Sequence, residues 1–219
     1  MTGFTDRTSQ GVLAHLVGKT ALYTLPTTHV GLFTVVGSDA GTGFTEVSAG
    51  GYARVATVGG DWNAPTGSAP STVANANVIA FPGATADWGT AIAFGLFDAL
   101  TTGNLLAWDY LGNFIWLPAT VNSASPGVIT TKAHGFSASD RVVWTNEYGG
   151  TLPGFSASNF TGLLTVNSPA TDTFTVQNGA TVVNTNSTGS GMVRKVASQI
   201  IASGVSAAFP AGPLIITSS

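Results

Sequence analysis

Charge is scarce in this chain. Of 219 residues, 7 are Lys or Arg and 10 are Asp or Glu, giving a net charge of −3 and a charged fraction of 8%. Soluble domains usually carry about 25%. Basic residues adjoin only at Arg194-Lys195, so the several phosphate contacts that a nucleic acid requires are not offered, and no such partner is expected. So little charge means either a surface made polar by Gly, Thr, Ser and Asn or one covered by neighbours. Composition leaves both readings open. Cysteine is missing altogether, which excludes disulfides, thiolate metal sites and a Cys nucleophile and says nothing of redox compartment.

Long apolar runs are also lacking. Tyr110–Thr131 and Val196–Ser219 are uncharged and long enough to cross a bilayer, which takes about 20 residues. Gly112, Asn113, Pro118, Asn122, Pro126 and Gly127 break the first, and Gln199, Gly204, Pro210 and Pro213 break the second, so no membrane insertion is expected. Asp6 and Arg7 stand where a secretory leader would have its basic and apolar regions, and no signal peptide is read.

Catalytic signatures are missing too. There is no G-x-S-x-G, P-loop or EF-hand loop. "GTGFTE" (Gly41–Glu46) starts like a dinucleotide fingerprint but lacks its third Gly and any βαβ context, so it reads as a loop. His15, His29 and His134 are scattered, which argues against zinc. Asp87 and Asp98 lie at opposite ends of one extended stretch. At about 3.3 Å per residue they are too far apart for the carboxylate pair of a glycosidase, and turn-capping suits both better. No enzyme activity, catalytic residue, cofactor or metal is expected.

What the chain does have is β-structure. Residues 5–18 form the one expected helix, with Thr5 or Asp6 as cap, Val12, Leu13, Leu16 and Val17 on one face, and Gly18 ending it. Strands are expected at Thr28–Val36, Tyr52–Val58 and Ala76–Phe81. In "TAIAFGLF", Ile92, Phe94 and Leu96 point one way while Ala91, Ala93, Gly95 and Phe97 point the other. Both faces are apolar, so the strand is buried on both. "DALTTGN" turns it, with Gly103-Asn104 supplying positive φ, and "LLAWDYLG" returns as its partner. One face meets the domain's own core, and the small-residue face suits another sheet or another subunit. Tyr52, Arg54, Trp88, Ile92, Phe94, Leu96, Phe97 and Trp108 are therefore assigned to the core or an oligomer interface.

From Pro118 the texture turns to Thr, Ser, Asn and Gly. Short strands are expected at Val128–Lys132, Arg141–Thr145, Leu163–Val166, Thr173–Gln177 and Met192–Val196. The end of the chain is apolar again. The fold expected is mainly β: a β-sandwich-like domain with a short N-terminal helix, from residues 1–117 and 197–219, plus a small inserted all-β domain at 118–196. Of the five Trp residues, Trp144 is expected with Tyr148 as an exposed aromatic contact on the insert, where sugar stacking is the alternative to core anchoring.

The order "LAHLVGKTALYTLPTTHVGLFT", "GGYARV" (Gly50–Val55), "WGTAIAFGLFDALTTGNLL" (Trp88–Leu106) and the terminal "IIASGVSAAFPAGPLIITSS" resembles a family of small tailed-phage and prophage virion proteins, of tail-fibre-like or head-decoration type. The family runs from the "GNLL-W" strand straight into the terminal strands. This chain departs by its insert. The resemblance implies a non-enzymatic virion protein assembled in the host cytoplasm. The implied role is a head decoration, cement or turret subunit, with a tail or neck fibre component or a host-surface glycan adhesin as alternatives. The partners expected are other copies of the chain, as a trimer or other cyclic homo-oligomer about a symmetry axis, together with major capsid or other virion proteins and, as the alternative, host-surface glycan.

Overall fold

A computed structural model describes residues 3–20, 27–67, 71–112, 114–146, 149–151, 153–154 and 162–217. The chain divides into two compact units, residues 1–113 with 198–219, and residues 114–197.

In the first unit the main sheet runs β1 (Gly3–Phe4), β9 (Leu105–Tyr110), β8 (Ala93–Phe97), β2 (Thr28–Val35) and β3 (Thr45–Glu46), with β4 (Val55–Thr57) also paired to β2. All pairings are antiparallel, and β8 with β9 form the expected central hairpin. Thr102 (φ 54°) and Gly103 (φ 72°) take the left-handed turn positions, one residue earlier than the expected Gly103-Asn104. Period two shows in the burial. Val30, Leu32, Phe94 and Ala107 face a core completed by Ile79, Phe81, Trp88, Ala91, Ile201, Leu214 and Ile216.

Those last residues belong to a second layer of three two-stranded ribbons. They pair β5 (Thr72–Ala74), β6 (Ile79–Gly83) and β7 (Gly89–Ala91) with strands from the end of the chain. The returning segment meets them in reverse order. Gln199–Ile201 lies on β7, Ser206–Phe209 on β6 and Ile215–Thr217 on β5. Of the expected Tyr52–Val58 strand only β4 is regular, and the Ala76–Phe81 strand starts later, at Ile79.

The small-residue face of β8 is closed by the chain itself. A Cβ on Gly95 would lie 2.5 Å from the Phe33 ring and 2.6 Å from Leu105 Cδ1. Phe33 packs on Phe44 and Phe97 at 4.6 and 5.8 Å between centroids, and Phe44 meets Trp108 at 5.2 Å. Phe33, Ala93, Phe97 and Trp108 are buried within a single chain. Where another sheet or another subunit was expected, bulky neighbours on β2, β9 and the 37–44 loop fill the space that the glycine leaves.

The helix runs Asp6–Leu16. Thr5 is buried at its start, but its hydroxyl does not cap. It donates to the Leu105 and Leu106 carbonyls at 2.9 and 3.1 Å, and Thr8 donates to Leu106 at 2.7 Å, tying the first turn to β9. No helix residue is buried. The apolar face is in solvent: Leu13 is 62% and Leu16 73% exposed, and Val17, just past the helix, 70%.

The second unit is one antiparallel sheet ordered β11 (Ile129–Thr130), β10 (Leu117–Val121), β16 (Gly189–Val196), β12 (Arg141–Thr145), β13 (Leu164–Asn167), β14 (Thr173–Asn178), β15 (Thr181–Val182). A pairing of β11 with β14 closes it into a barrel. Closure removes the open edges that a lone sheet would offer for aggregation. Ala119, Val121, Ile129, Val142, Leu164, Val166, Phe174, Val176 and Val193 fill the interior.

Trp144 belongs to that interior. It is 9% exposed and lies opposite Val193, with its ring against the position a Gly191 Cβ would take. Its assignment as an exposed contact is corrected: parity along β12 points Val142 and Trp144 inward together, and Gly191 leaves room for the indole. Tyr148 lies outside the described residues.

Candidate functional site

Asp87 and Asp98, the two carboxylates weighed as a catalytic pair, each hold backbone. Asp98 accepts from the Asn104 N–H at 2.6 Å and from Asn104 Nδ2 at 2.7 Å, closing the β8–β9 turn. Partial burial works to raise its pKa, but these donors, with Arg7 nearby, outweigh it and hold the carboxyl below the ordinary value. Asp87 accepts from the Ser203 N–H at 2.8 Å and so fixes the returning segment. His134 is buried between Phe136 and Phe174, and its Nδ1 accepts from the Phe136 N–H at 2.9 Å. His29 lies opposite Phe97 on β2, and His15 is on the exposed helix. Among the described residues no group of three His, Cys, Asp or Glu is placed to hold a metal.

One polar cluster does form, at the residues "GGYARV" singled out. Arg54 grips Glu46 twice, Nε to Oε1 at 2.8 Å and Nη2 to Oε2 at 2.7 Å. Its Nη1 donates to the carbonyls of Ala99 and Thr102 at 2.8 and 2.7 Å, and its guanidinium lies 3.3 Å from the Phe97 ring centroid. The fork geometry of arginine is used in full. Tyr52 donates to Glu46 Oε1 at 2.7 Å and accepts from the Leu32 N–H at 2.9 Å. That N–H falls between the β3 and β4 pairings of β2, so the tyrosine satisfies a donor that the sheet leaves free. Burial pushes the Tyr52 hydroxyl well above its usual range, and the Glu46 carboxylate adds to the rise. Trp88 donates from Nε1 to Gly50 O at 2.8 Å.

The two most specific sequence segments, Gly50–Val55 and Trp88–Leu106, are thus joined in space. The cluster borders a shallow cavity of about 360 Å³ lined in part by Ser48, Leu100 and Thr101. Chemically it is a fastener: the carboxylate is neutralised, the arginine is spent on carbonyls, and the phenol keeps its proton. Of the residues assigned to core or interface, Trp88, Ile92, Phe94, Phe97 and Trp108 are buried and Tyr52 and Leu96 half-buried, all serving the unit's own packing.

The barrel carries a second feature that sequence reasoning did not single out. Thr120 lies opposite both Thr130 and Ser190, and Thr130 opposite Thr173. Residues directly opposite share a face, so four hydroxyls line up across β14, β11, β10 and β16 on the outer side. Two adjoining cavities of about 340 and 430 Å³ share Thr120, Thr130 and Ser190. The Thr/Ser-rich texture was visible, but the row exists only through the register.

A family profile described as "Podophage GP4 fiber I protein gp80" matches residues 3–131, more than half of the chain. The chain belongs to this family. The match takes in the helix, the whole main sheet and the first two barrel strands. It places the chain among phage fibre proteins, and so among structural components of the virion. No curated protein matches. Among solved structures, the chain is similar to "Phage phi92 endosialidase" at 18% identity and a TM-score of 0.27, over 68% of this chain and 24% of that one. The chain thus spans about a quarter of that protein's length, and a TM-score so low carries no argument about activity. No helix among the described residues is long and apolar enough to cross a membrane.

Proposed function

We propose that the chain is a non-enzymatic fibre subunit of a tailed phage, with the first unit as its assembly module and the barrel as a surface offered to the host cell. The family match over residues 3–131 carries this reading. It favours a fibre over a head decoration, which was the first expectation. The engagement of Asp87, Asp98 and Glu46 in backbone and arginine contacts supports a structural role. Assembly takes place in the host cytoplasm, with copies of this chain and other virion proteins as partners.

Fibres repeat one subunit about a symmetry axis, and the reading includes a homo-oligomer, a trimer. The apolar stripe Leu13, Leu16 and Val17, on a helix with no buried residue, supports that contact. The expected mass in solution is that of three chains, and Leu16→Glu should lower it toward one. Gold labelling of this chain on virions should mark the tail or neck. Label spread over the capsid shell would overturn the fibre assignment. Release of reducing ends from host polysaccharide would overturn the non-enzymatic one.

A further inference from the structure

We infer that the outer groove of the barrel is a binding site for an uncharged saccharide. This rests on the reading of the barrel as the host-facing surface and names what it would hold.

The groove floor is the β11–β10–β16 sheet. Thr120 and Thr130 are exposed, and neither hydroxyl has a partner among the described residues. The Ser190 hydroxyl accepts from the Thr151 N–H at 3.1 Å, which leaves its own proton to donate. Asn122 accepts from the Val128 N–H at 2.8 Å through Oδ1 and keeps its Nδ2 donors for a ligand. Such groups both give and accept hydrogen bonds, which is what a ring bearing several hydroxyls requires. Beside this row Pro118 lies opposite Met192. Both line the groove and give an apolar strip suited to the C–H face of a sugar ring.

The site is preformed. The 149–151 segment makes one wall and is held to β16 by two backbone donors, Ser190 N–H to Thr151 O at 2.8 Å and Thr151 N–H to Ser190 Oγ. Gly150 lies so close to Ser190 that a side chain there would strike its carbonyl. Strand hydroxyls fixed in register cost little ordering on binding.

Charge selects the ligand class. The described residues lining the two cavities include no acid and no base. A sialylated or uronic-acid glycan would bring carboxylates into a groove whose described lining holds nothing to neutralise them, while a neutral glycan needs only the hydroxyls present. A mixed polar and apolar lining and a volume of several hundred Å³ fit the usual small-ligand site.

The test applies full-length protein to an array carrying neutral polysaccharides (dextran, mannan, galactan) and acidic ones (polysialic acid, hyaluronan). The strongest neutral hit is then titrated by calorimetry. Binding to a neutral glycan is expected, with a loss of tenfold or more in Thr120→Val/Thr130→Val and near-native affinity in Thr120→Ser/Thr130→Ser. Both positions face solvent, and unchanged circular dichroism would show that the barrel is intact. Selective binding of acidic glycans, no neutral binding at millimolar sugar, or full affinity in the valine pair would each overturn the inference. Virion labelling separates this from the fibre reading. Fibre label without neutral binding sinks the groove alone, and binding with capsid label sinks the fibre alone.

Discussion

Asn75 is the most informative single position for stability. It is fully buried, 0% exposed, and its amide makes four hydrogen bonds. Nδ2 donates to Asn77 O at 2.8 Å and Pro210 O at 2.7 Å, and Oδ1 accepts from Gly212 N–H at 3.1 Å and Leu214 N–H at 3.0 Å. It is the clasp that holds the returning segment against the second layer. Asn75→Ala leaves these groups unequally stranded. Gly212 N–H keeps the Asn75 backbone carbonyl at 2.8 Å, while Asn77 and Pro210 are exposed and turn to water. Leu214 N–H is buried and left with nothing. An orphaned buried donor costs about 1–3 kcal/mol and each of the two rehydrated bonds about 0.5–1 kcal/mol, so the loss should be about 2–5 kcal/mol. With a urea slope near 2 kcal/mol per molar, the midpoint falls by about 1–2.5 M.

Urea unfolding followed by tryptophan fluorescence gives the midpoint, and amide exchange at Leu214 gives the local opening. Asn75→Asp separates clasp from cavity. A carboxylate keeps the acceptor side but turns charge on two carbonyl oxygens, so its folded pKa lies above the unfolded value of about 3.9. Its stability should therefore improve as pH falls through that folded pKa, relative to Asn75→Ala. A shift below about 0.5 kcal/mol in the alanine variant, or an aspartate variant indifferent to pH, would refute the clasp.

Gly95→Ala should cost about 1–3 kcal/mol by overpacking, since the new methyl meets Phe33 and Leu105 inside contact distance. Adding Phe33→Leu should restore part of that loss, as a thermal-denaturation cycle would show. Tyr52→Phe should cost about 1–2 kcal/mol by stranding the Leu32 N–H. The raised Tyr52 pKa adds stability below the unfolded value of about 10 that is lost as pH rises beyond it. Its tyrosinate absorbance at 295 nm should appear only with alkaline unfolding, and its appearance in still-folded protein would contradict the burial. Trp144→Ala opens a cavity in the barrel and should cost about 3–5 kcal/mol, so loss of glycan binding in that variant would report unfolding; intact barrel amide protection would show the indole is not structural.

Much of the fold was legible locally. The hairpin at Ala93–Tyr110, the helix and the Arg141–Thr145 strand follow from alternation, turn residues and caps that act within a few positions. The ribbons were not legible, because Ile215–Thr217 finds Thr72–Ala74 across most of the chain and neither strand carries a mark of its partner. Barrel closure through two residues, Ile129 and Thr130, is likewise a long-range choice. The candidate groove depends on the same kind of information: Thr120, Thr130 and Ser190 are unremarkable polar residues until register sets them side by side.

The two misplaced aromatic faces share a cause. A strand apolar on both sides must be buried on both, and that much is in the residues of Ala93–Phe97. The alternation is silent on what does the burying, because a ring from the same chain and a ring from a neighbour remove the same water. Here glycine decides. Gly95 beneath Phe33 and Gly191 beneath Trp144 each leave a hollow that a large aromatic of the same chain fills, so both faces close without a neighbour. Exposed apolar side chains lie elsewhere: the helix, its start pinned to β9 by Thr5 and Thr8, leaves Leu13 and Leu16 in water with Val17 just beyond its end, and Ile115 and Ile200 are exposed as well. The scarcity of charge is matched on the barrel by hydroxyl and amide surfaces such as the row of Thr120, Thr130 and Ser190.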